Sequence, residues 1–465
     1  MSSAEFLSAL SNLIGTRYVL QARQDIEPFC LDMRSRYLGQ PLAVALPGTR
    51  AEVAELARLA QRFCVPLVPQ GGNTSTCGAA TPDASGRALV VGLRRLDRTI
   101  EVDAANNSMT LEAGVTLARA QQIAEEADRL FPLSLASEGS CQIGGNLATN
   151  AGGLAVLRYG TMRDLALGLE VVLPDGRVLN QLSGLRKDTS GLDLKHLFIG
   201  SEGQLGLITA ATLKLFPRPR ARATALVGVA DAQTAIDWLG ALRDRFADRL
   251  TTFEMMSADC LTLLRDYQGD KVPFIAPWTL LIELSDSDGQ QALESALVEW
   301  LAEREMVDGV IAQSEGERLA LWQLREDMSE TQKRRGPSIK HDIGVPSSAI
   351  PAFLAQAGLA LEQAFPGCSI MAFGHAGDGN LHYNVSFTRP RNADLFDDEE
   401  RVNRIVYDVV YRLNGTLAAE HGIGQLKTHW LEAYKDPLAL SLMRSLKTVL
   451  DPNGLMNPGK WLSGE

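Results

Sequence analysis

The chain has no Cys-x-x-Cys pair, no surplus of positive charge and no apolar run long enough to cross a bilayer. Each absence removes a class of protein. The six cysteines, at 30, 64, 77, 141, 260 and 368, are scattered over 465 residues. Such spacing argues against a disulfide framework or a cysteine-rich structural zinc site, and it fits a reducing compartment. Acidic residues outnumber basic ones, 56 to 45, for a net charge of −11. A nucleic-acid partner is therefore not expected, and an anionic substrate would need local cations working against the overall field. Met1 to Arg17 lacks a basic start followed by an apolar core, so the expectation is a soluble, cytoplasmic protein without a transmembrane segment. Two nucleotide fingerprints are also missing. There is no P-loop ending in Gly-Lys-Ser/Thr, and no Gly-x-Gly-x-x-Gly opening a helix.

Histidine is scarce too, with six in the chain, yet two of them close a single stretch, Phe373-Gly-His-Ala-Gly-Asp-Gly-Asn-Leu-His-Tyr-Asn-Val385. Ile370 to Phe373 has the length of a strand. Leu381 to Phe387 alternates, with His382, Asn384 and Ser386 on its polar face. Gly377-Asp-Gly379 is turn-forming, so a hairpin would bring His375 beside His382. Glu420-His421-Gly422 follows another short apolar segment. Two imidazoles and a carboxylate are the ligand set of an open, catalytic zinc-type site. The alternative is a polar turn unrelated to Glu420-His421.

The length implies two or three domains. Residues 1–40 are poorly patterned and read as part helix. A strand at 42–46, a helix opened by the capping-box pattern Thr49-Arg-Ala-Glu52 and running to Phe63, and a strand at 66–68 lead into Pro69-Gln-Gly-Gly-Asn-Thr-Ser-Thr-Cys-Gly78. That loop is either an anion nest suited to a pyrophosphate or a plain glycine turn. Strands at 88–91, 99–102 and 109–113 precede a helix over 116–130. Next come the glycine- and asparagine-rich residues 137–153 and then Tyr159-Gly160, read as a long functional loop. Its small residues suit close backbone contact with a large planar or phosphorylated cofactor. Strands at 167–173 and 177–182 flank the turn Pro174-Asp-Gly176. Pro217-Arg-Pro-Arg220 marks a boundary, after which strand, helix and strand alternate as in an α+β sandwich. Arg325 and Ser329 share one face of a helix expected over 317–332. Glu399 to Leu413 is the clearest helix, ended by Asn414-Gly415.

Together these motifs resemble the FAD-linked oxidases of the vanillyl-alcohol-oxidase type, most of all their D-2-hydroxyglutarate, D-lactate and glycolate dehydrogenase branch. The resemblance spans nearly the whole chain. It rests on Pro69-Gln-Gly-Gly-Asn-Thr74, Gly139-Ser-Cys-Gln-Ile-Gly-Gly-Asn146, Thr149-Asn-Ala-Gly-Gly153, Phe198-Ile-Gly-Ser-Glu-Gly203, Gly374-His-Ala-Gly-Asp-Gly-Asn-Leu-His382, Glu420-His-Gly422 and Asn457-Pro-Gly-Lys460. It implies an α+β fold. A two-part FAD-binding domain of vanillyl-alcohol-oxidase/p-cresol-methylhydroxylase type would occupy 1–218, and an α+β sandwich substrate domain 219–419. A small helical segment, 420–465, would pack back on the FAD domain.

The resemblance also implies the site. Pro69, Gln70, Gly71, Gly72, Asn73, Thr74, Cys77 and Gly78 would hold the FAD pyrophosphate. Ser140, Ile143, Gly144, Gly145, Asn146, Thr149, Asn150, Gly152, Gly153, Tyr159 and Gly160 would line the rest of the cofactor, with Glu202 and Asn457 among the motif residues around it. Gly206 and Ile208 would lie towards the adenine. His375, His382 and Glu420 would bind a divalent metal, usually zinc, although manganese, iron or cobalt also suit the set. His421 would be the general base, its alternative being a fourth ligand. Arg325, Ser329, Lys340 and Asn384 would grip a distal carboxylate, although many relatives have Thr where this chain has Ser329.

The leading substrate is then D-2-hydroxyglutarate, with D-malate as a shorter diacid. D-lactate or glycolate oxidation on the same scaffold is the alternative, followed by a non-catalytic flavin-binding subunit or a metal-binding protein without flavin. The electron acceptor, whether an electron-transfer flavoprotein, a quinone or a dye, and the oligomeric state, a homodimer among the options, are left open by the sequence. Some relatives attach FAD through a histidine in the glycine loop. The first histidine here is His196, so noncovalent FAD is expected. Acid precipitation should leave the yellow colour in the supernatant, and colour pelleting with the polypeptide would contradict this.

Overall fold

The computed structural model describes residues 2–387 and 395–462. The chain falls into two compact units, one of Met1–Gly152, Gly160–Arg218 and Glu420–Glu465, the other of Gly153–Tyr159 and Pro219–Ala419.

The first unit begins with a helix that its composition obscures. In α1 (Ser3–Ile14) the Ser2 hydroxyl accepts from the Glu5 amide, and the Glu5 carboxylate accepts from the Ser2 amide. This is a complete capping box. Phe6, Leu10 and Ile14, spaced at four residues, are buried against α2 (Arg50–Phe63). At the start of α2 Thr49 caps the Glu52 amide, but the Glu52 side chain reaches one residue further back, to the Gly48 amide. Beneath the helices lies a four-stranded sheet of β1 (Val19–Leu20), β2 (Ala43–Ala45), β3 (Leu67–Gln70) and β4 (Leu89–Gly92), in the order β1-β2-β4-β3. Strand β4 runs parallel to both β2 and β3. Alternate residues feed two cores: Ala43, Leu67, Leu89 and Val91 on one side, Val44, Val68 and Val90 on the other.

A five-stranded antiparallel sheet completes this unit. Its strands are β5 (Thr99–Asp103), β6 (Ser108–Glu112), β7 (Ala166–Val172), β8 (Val178–Gln181) and β9 (Leu207–Lys214), in the order β5-β6-β9-β7-β8. Two expectations need correcting. Helix α3 (Leu117–Glu126) stops four residues short of the expected end, and Arg129-Leu130 pair with Phe216-Pro217 instead. The stretch 137–153 is not all loop. It contains α4 (Ile143–Ala148), where a Cβ on Gly144 would lie 2.8 Å from the Ala113 methyl. Glycine is needed there for close approach to the sheet, and its low helix propensity hides the helix.

The second unit is built on a seven-stranded sheet of β10 (Ala221–Val229), β11 (Leu250–Ser257), β12 (Trp278–Asp286), β13 (Asp308–Ile311), β14 (Ile339–Gly344), β15 (Ser369–Gly374) and β16 (Asn380–Ser386), in the order β13-β10-β12-β11-β15-β16-β14. Helices α5 (Ala232–Phe246) and α7 (Gln290–Ala302) meet through Trp238 edge-on to Trp300. Helices α6 (Ala258–Gln268) and α8 (Glu315–Arg335) cover the face that carries Leu226, Met256, Leu281, Met371 and Phe373. Helices α9 (Ile350–Ala364) and α10 (Glu399–Arg412) lie on the opposite face, where Phe353 meets Tyr383 and Tyr407 meets His341. Strand β11 has no counterpart in the sequence reading. Its residues are buried on both faces from Leu250 to Met256, so it does not alternate, and a glutamate sits in its middle.

Candidate active site

The cofactor residues expected in the first unit converge at one end of its parallel strands. The loop 71–78 leaves β3 at its carboxyl end, the usual ligand side of parallel strands. It abuts the segment before α4 so tightly that a Cβ on Gly72 would lie 1.9 Å from the Ser140 carbonyl oxygen. Side chains pin these loops in place. The Gln70 amide donates to the Phe29 and Ala80 carbonyls at 3.1 and 2.8 Å. Asn73, at φ +54°, donates to Pro28 and Leu31. Asn457 donates to Ala79 at 3.0 Å and Glu202 at 2.7 Å. The buried Glu202 carboxylate accepts from the Ile423 and Gly424 amides, both at 2.7 Å, and burial pushes its pKa up despite those bonds. Gln70 and Glu202 thus spend their polar groups on the loops themselves.

What remains for a ligand is backbone, the buried Asn146 amide nitrogen and a few acceptors. A Cβ on Gly139 or Gly145 would meet nothing within 4 Å. The buried Asn73 Oδ1, Gln142 Oε1 and Asn457 Oδ1 accept no hydrogen bond among the described residues. Bare backbone and orphaned acceptors fit a large cofactor rich in hydroxyl and N–H donors. Other residues expected near the cofactor also have protein partners. Thr149 donates to the Gly145 carbonyl and Asn150 accepts from the Arg163 amide. Cys77 is buried, with its thiol pushed up by that burial. Gly206 packs against Val171, and Ile208 is buried in β9. Gly152 and Gly160 belong to the first unit, whereas Gly153 and Tyr159 belong to the second.

The second unit gathers the other set, and strand register explains how. Phe373 opposes His382, which opposes Asp342; Met371 opposes Asn384, which opposes Lys340. Met256 opposes Phe373. Residues opposed across an antiparallel pair, or two apart along a strand, share a face. Glu254, Phe373, His382, Asn384 and Lys340 therefore line one face, the one covered by α8. His375 starts the turn after β15, and its ring centroid lies 6.0 Å from that of His382. Downstream, Thr416 bridges Gly344 and the Ala419 amide bonds the Asp342 carbonyl. This delivers the next residue, Glu420, to the histidines. The ligand atoms of His375, His382 and Glu420 all lie within 4.8 Å of one another, a spacing that can hold a metal ion. His421 is not part of that group.

Among the expected substrate residues, Arg325 is buried at 6% exposure, its guanidinium over the Phe373 ring at 5.1 Å. Lys340 is half-buried, and the buried Asn384 donates one amide hydrogen to Gln332 at 2.8 Å. Ser329, one turn beyond Arg325 on α8, is exposed.

The residue that sequence reasoning missed is Glu254. It is fully buried on the unread strand β11. Its Oε1 accepts from His375 Nδ1 at 2.5 Å and its Oε2 from Arg325 Nε at 2.6 Å. Burial works to raise its pKa, but the charges of His375 and Arg325 override that and hold the carboxyl down to about 2. One available signal was a lone carboxylate in the otherwise uncharged stretch Leu250 to Met256, since buried carboxylates demand partners.

Known proteins of similar sequence and fold bear on this arrangement. Residues 218–461 match the family described as FAD linked oxidases, C-terminal domain, and residues 41–181 match the family described as FAD binding domain. A Xanthomonas citri protein named D-2-hydroxyglutarate dehydrogenase is 38% identical over 443 residues, covering 94% of this chain and 92% of that one. The Bos taurus mitochondrial D-2-hydroxyglutarate dehydrogenase is 36% identical over 472 residues, covering 99% and 84%. A Schizosaccharomyces pombe protein, provisionally named a mitochondrial D-lactate dehydrogenase, is 35% identical over 454 residues, covering 94% and 85%. The solved structure of p-cresol methylhydroxylase with substrate bound shares the fold, at TM-score 0.78 and 15% identity, covering 99% of this chain and 97% of that one.

The depressed Glu254 pKa has a consequence for stability. A carboxyl whose folded pKa lies below its unfolded value stabilises the protein above the unfolded value and loses that contribution as pH falls through the folded one. The window here runs from about 4.5 down to about 2. Melting of the metal-free protein should fall more steeply over that window in the wild type than in Glu254→Gln, and parallel pH profiles would contradict the assignment.

Proposed function

The chain belongs to the FAD-linked oxidases and is an FAD-dependent hydroxyacid dehydrogenase; from that premise we propose that it oxidises D-2-hydroxyglutarate to the 2-oxo acid, with D-malate as a shorter diacid of the same kind. The observation that carries the reading is the cluster on one sheet face of the second unit. There a buried arginine, a lysine and an asparagine accompany the two histidines that lie with Glu420 at metal-binding spacing. A 2-hydroxy diacid carries the complementary groups: a hydroxyl beside one carboxylate, and a second carboxylate at the far end.

The loops 69–78 and 137–150 would hold FAD, noncovalently, and bound FAD supplies the two-electron acceptor for the C2 hydride. His375, His382 and Glu420 would hold a divalent cation, zinc best matching two imidazoles and a carboxylate, and that cation supplies Lewis acidity towards the hydroxyl and its neighbouring carboxylate. The imidazole of His421 accepts the hydroxyl proton as the C2–H bond breaks, so that proton and hydride leave separately and the C2–O bond becomes a carbonyl. Arg325 and Lys340 grip the distal carboxylate, Asn384 adds its remaining amide hydrogen, and Ser329 extends the polar edge outward. Holding both ends fixes which hydrogen on C2 departs.

The relative provisionally named for D-lactate supports a second reading, oxidation of a short monoacid. Anaerobic bleaching of the flavin by a panel of D- and L-2-hydroxy acids, with and without chelator, separates the two. In Arg325→Lys a cation still faces Glu254 but the flat two-pronged donor is lost. We expect kcat/KM for D-2-hydroxyglutarate to fall roughly 10- to 100-fold and that for D-lactate to stay within about threefold. Equal losses would remove the distal-carboxylate role. His421→Asn should cost on the order of 10³-fold in kcat with FAD and metal contents unchanged; loss of metal would make His421 a ligand instead.

A further inference from the structure

The two hydrogen bonds of Glu254 lead to different ends of the substrate site. We propose that Glu254 is a positioning residue that aligns His375, on the metal-binding side, and Arg325, on the carboxylate-binding side, as one rigid element; the role rests on the D-2-hydroxyglutarate reading. A neutral imidazole donates Nδ1–H to Glu254 Oε1 only as the tautomer whose lone pair is on Nε2, the nitrogen that would then ligate a cation. A carboxylate at Nδ1 also raises the basicity of the ring. On the other oxygen, Arg325 commits Nε, which fixes the plane of its guanidinium. Its two terminal nitrogens make no hydrogen bond among the described residues and remain for a ligand. The Phe373 ring touches Arg325 and the other histidine, His382. Arg325 lies over it, and the His382 ring centroid lies 5.1 Å from it.

A plain structural anchor does not account for this geometry. Helix α8 is already pinned to the sheet one strand away, where the buried Glu283 accepts from Arg318 at 3.1 Å and Trp322 Nε1 at 2.7 Å. An anchor at Glu254 would need only Arg325, and an apolar pair would do the same work without desolvating a charge. The bond to His375 is the part that anchoring leaves unused.

The test is Glu254→Gln in the FAD-containing protein. The amide is nearly isosteric and can accept from one partner, but it turns an N–H toward the other donor. Two quantities are read: the affinity of the chelator-stripped protein for cobalt(II) by calorimetry, and the ratio of kcat/KM for D-2-hydroxyglutarate to that for D-lactate. We expect cobalt affinity to fall roughly 10- to 100-fold and the ratio to fall about tenfold. General loosening would lower the melting temperature without moving that ratio. A folded variant with either quantity within about twofold of wild type overturns the positioning role. Should the glutamine variant fail to fold, Glu254→Asp keeps the charge but is too short to reach both partners, and the same two readings decide by the same criteria. The wild-type arm tests the underlying reading by itself: a wild type that binds no cobalt or does not oxidise D-2-hydroxyglutarate overturns that reading and the positioning role with it, whereas a normal wild type with an unaltered variant overturns the positioning role alone.

Discussion

A carboxylate with no exposed surface must find donors inside the protein, and Glu254 finds two. Losing one partner of such a group costs about 3–5 kcal/mol, because the charge left behind has no solvent to turn to. That constraint propagates. It fixes the ring of His375 at the start of the hairpin turn, and it draws the middle of α8 onto the sheet through Arg325. Glu283 does the equivalent for the earlier turns of the helix through Arg318 and Trp322. Two buried carboxylates on neighbouring strands therefore set the height and rotation of α8. Its apolar residues alone would do this loosely, since Arg318, Trp322 and Arg325 share the inward face with Leu321 and Met328.

The first unit solves a different problem. Glycine loops that let a ligand approach the backbone have few side chains of their own to hold them still. Here the holding is done by residues at their edges, Gln70, Asn73, Glu202 and Asn457, each reaching backbone groups elsewhere in the unit. Several of these sit at positive φ, Asn73 at +54°, Glu202 at +51° and Asn457 at +45°, which costs on the order of 1 kcal/mol or more for a residue with a side chain. Such strain persists only where the surroundings over-determine the conformation. The polar side chains provide that by taking the hydrogen bonds that fix the turn.

These two solutions explain what the sequence could and could not disclose. The histidine hairpin was legible because its information is local: an apolar strand, a glycine turn and an alternating strand. The helices at 50–63 and 399–412 were legible because each has one wet face. The boundary beside Pro219 was marked by two prolines, at 217 and 219, which interrupt helix and strand alike. Strand β11 was not legible, since a central strand buried on both faces has no period to read, and a glutamate within it argues for the wrong environment. Helix α4 was hidden by Gly144 and Gly145, whose propensities oppose the helix that close packing on Ala113 requires. In α1 the capping box Ser2-Ser-Ala-Glu5 and the fourfold spacing of Phe6, Leu10 and Ile14 were all present in the sequence and were passed over. Glu254 joins His375 across 121 positions and Arg325 across 71, and no local pattern carries a contact of that range.

Fold alone does not choose a substrate here. A structure named for p-cresol shares this architecture at 15% identity, so the scaffold is compatible with quite different ligands. Choice must come from side chains, and in this chain the informative one is Arg325. Its guanidinium is buried, one nitrogen is satisfied by Glu254, and the two terminal nitrogens make no hydrogen bond among the described residues. Those two donors remain for a ligand. A short monoacid would leave them as they are, whereas a diacid brings a planar carboxylate that matches their fork. The acidic whole, at −11, repels either acid at long range. The diacid, with twice the charge, is repelled more, and on the proposed reading a short-range grip by Arg325 and Lys340 would reverse that order. On the proposed reading, selection would be made at contact distance, through the residues that the buried carboxylate holds in place.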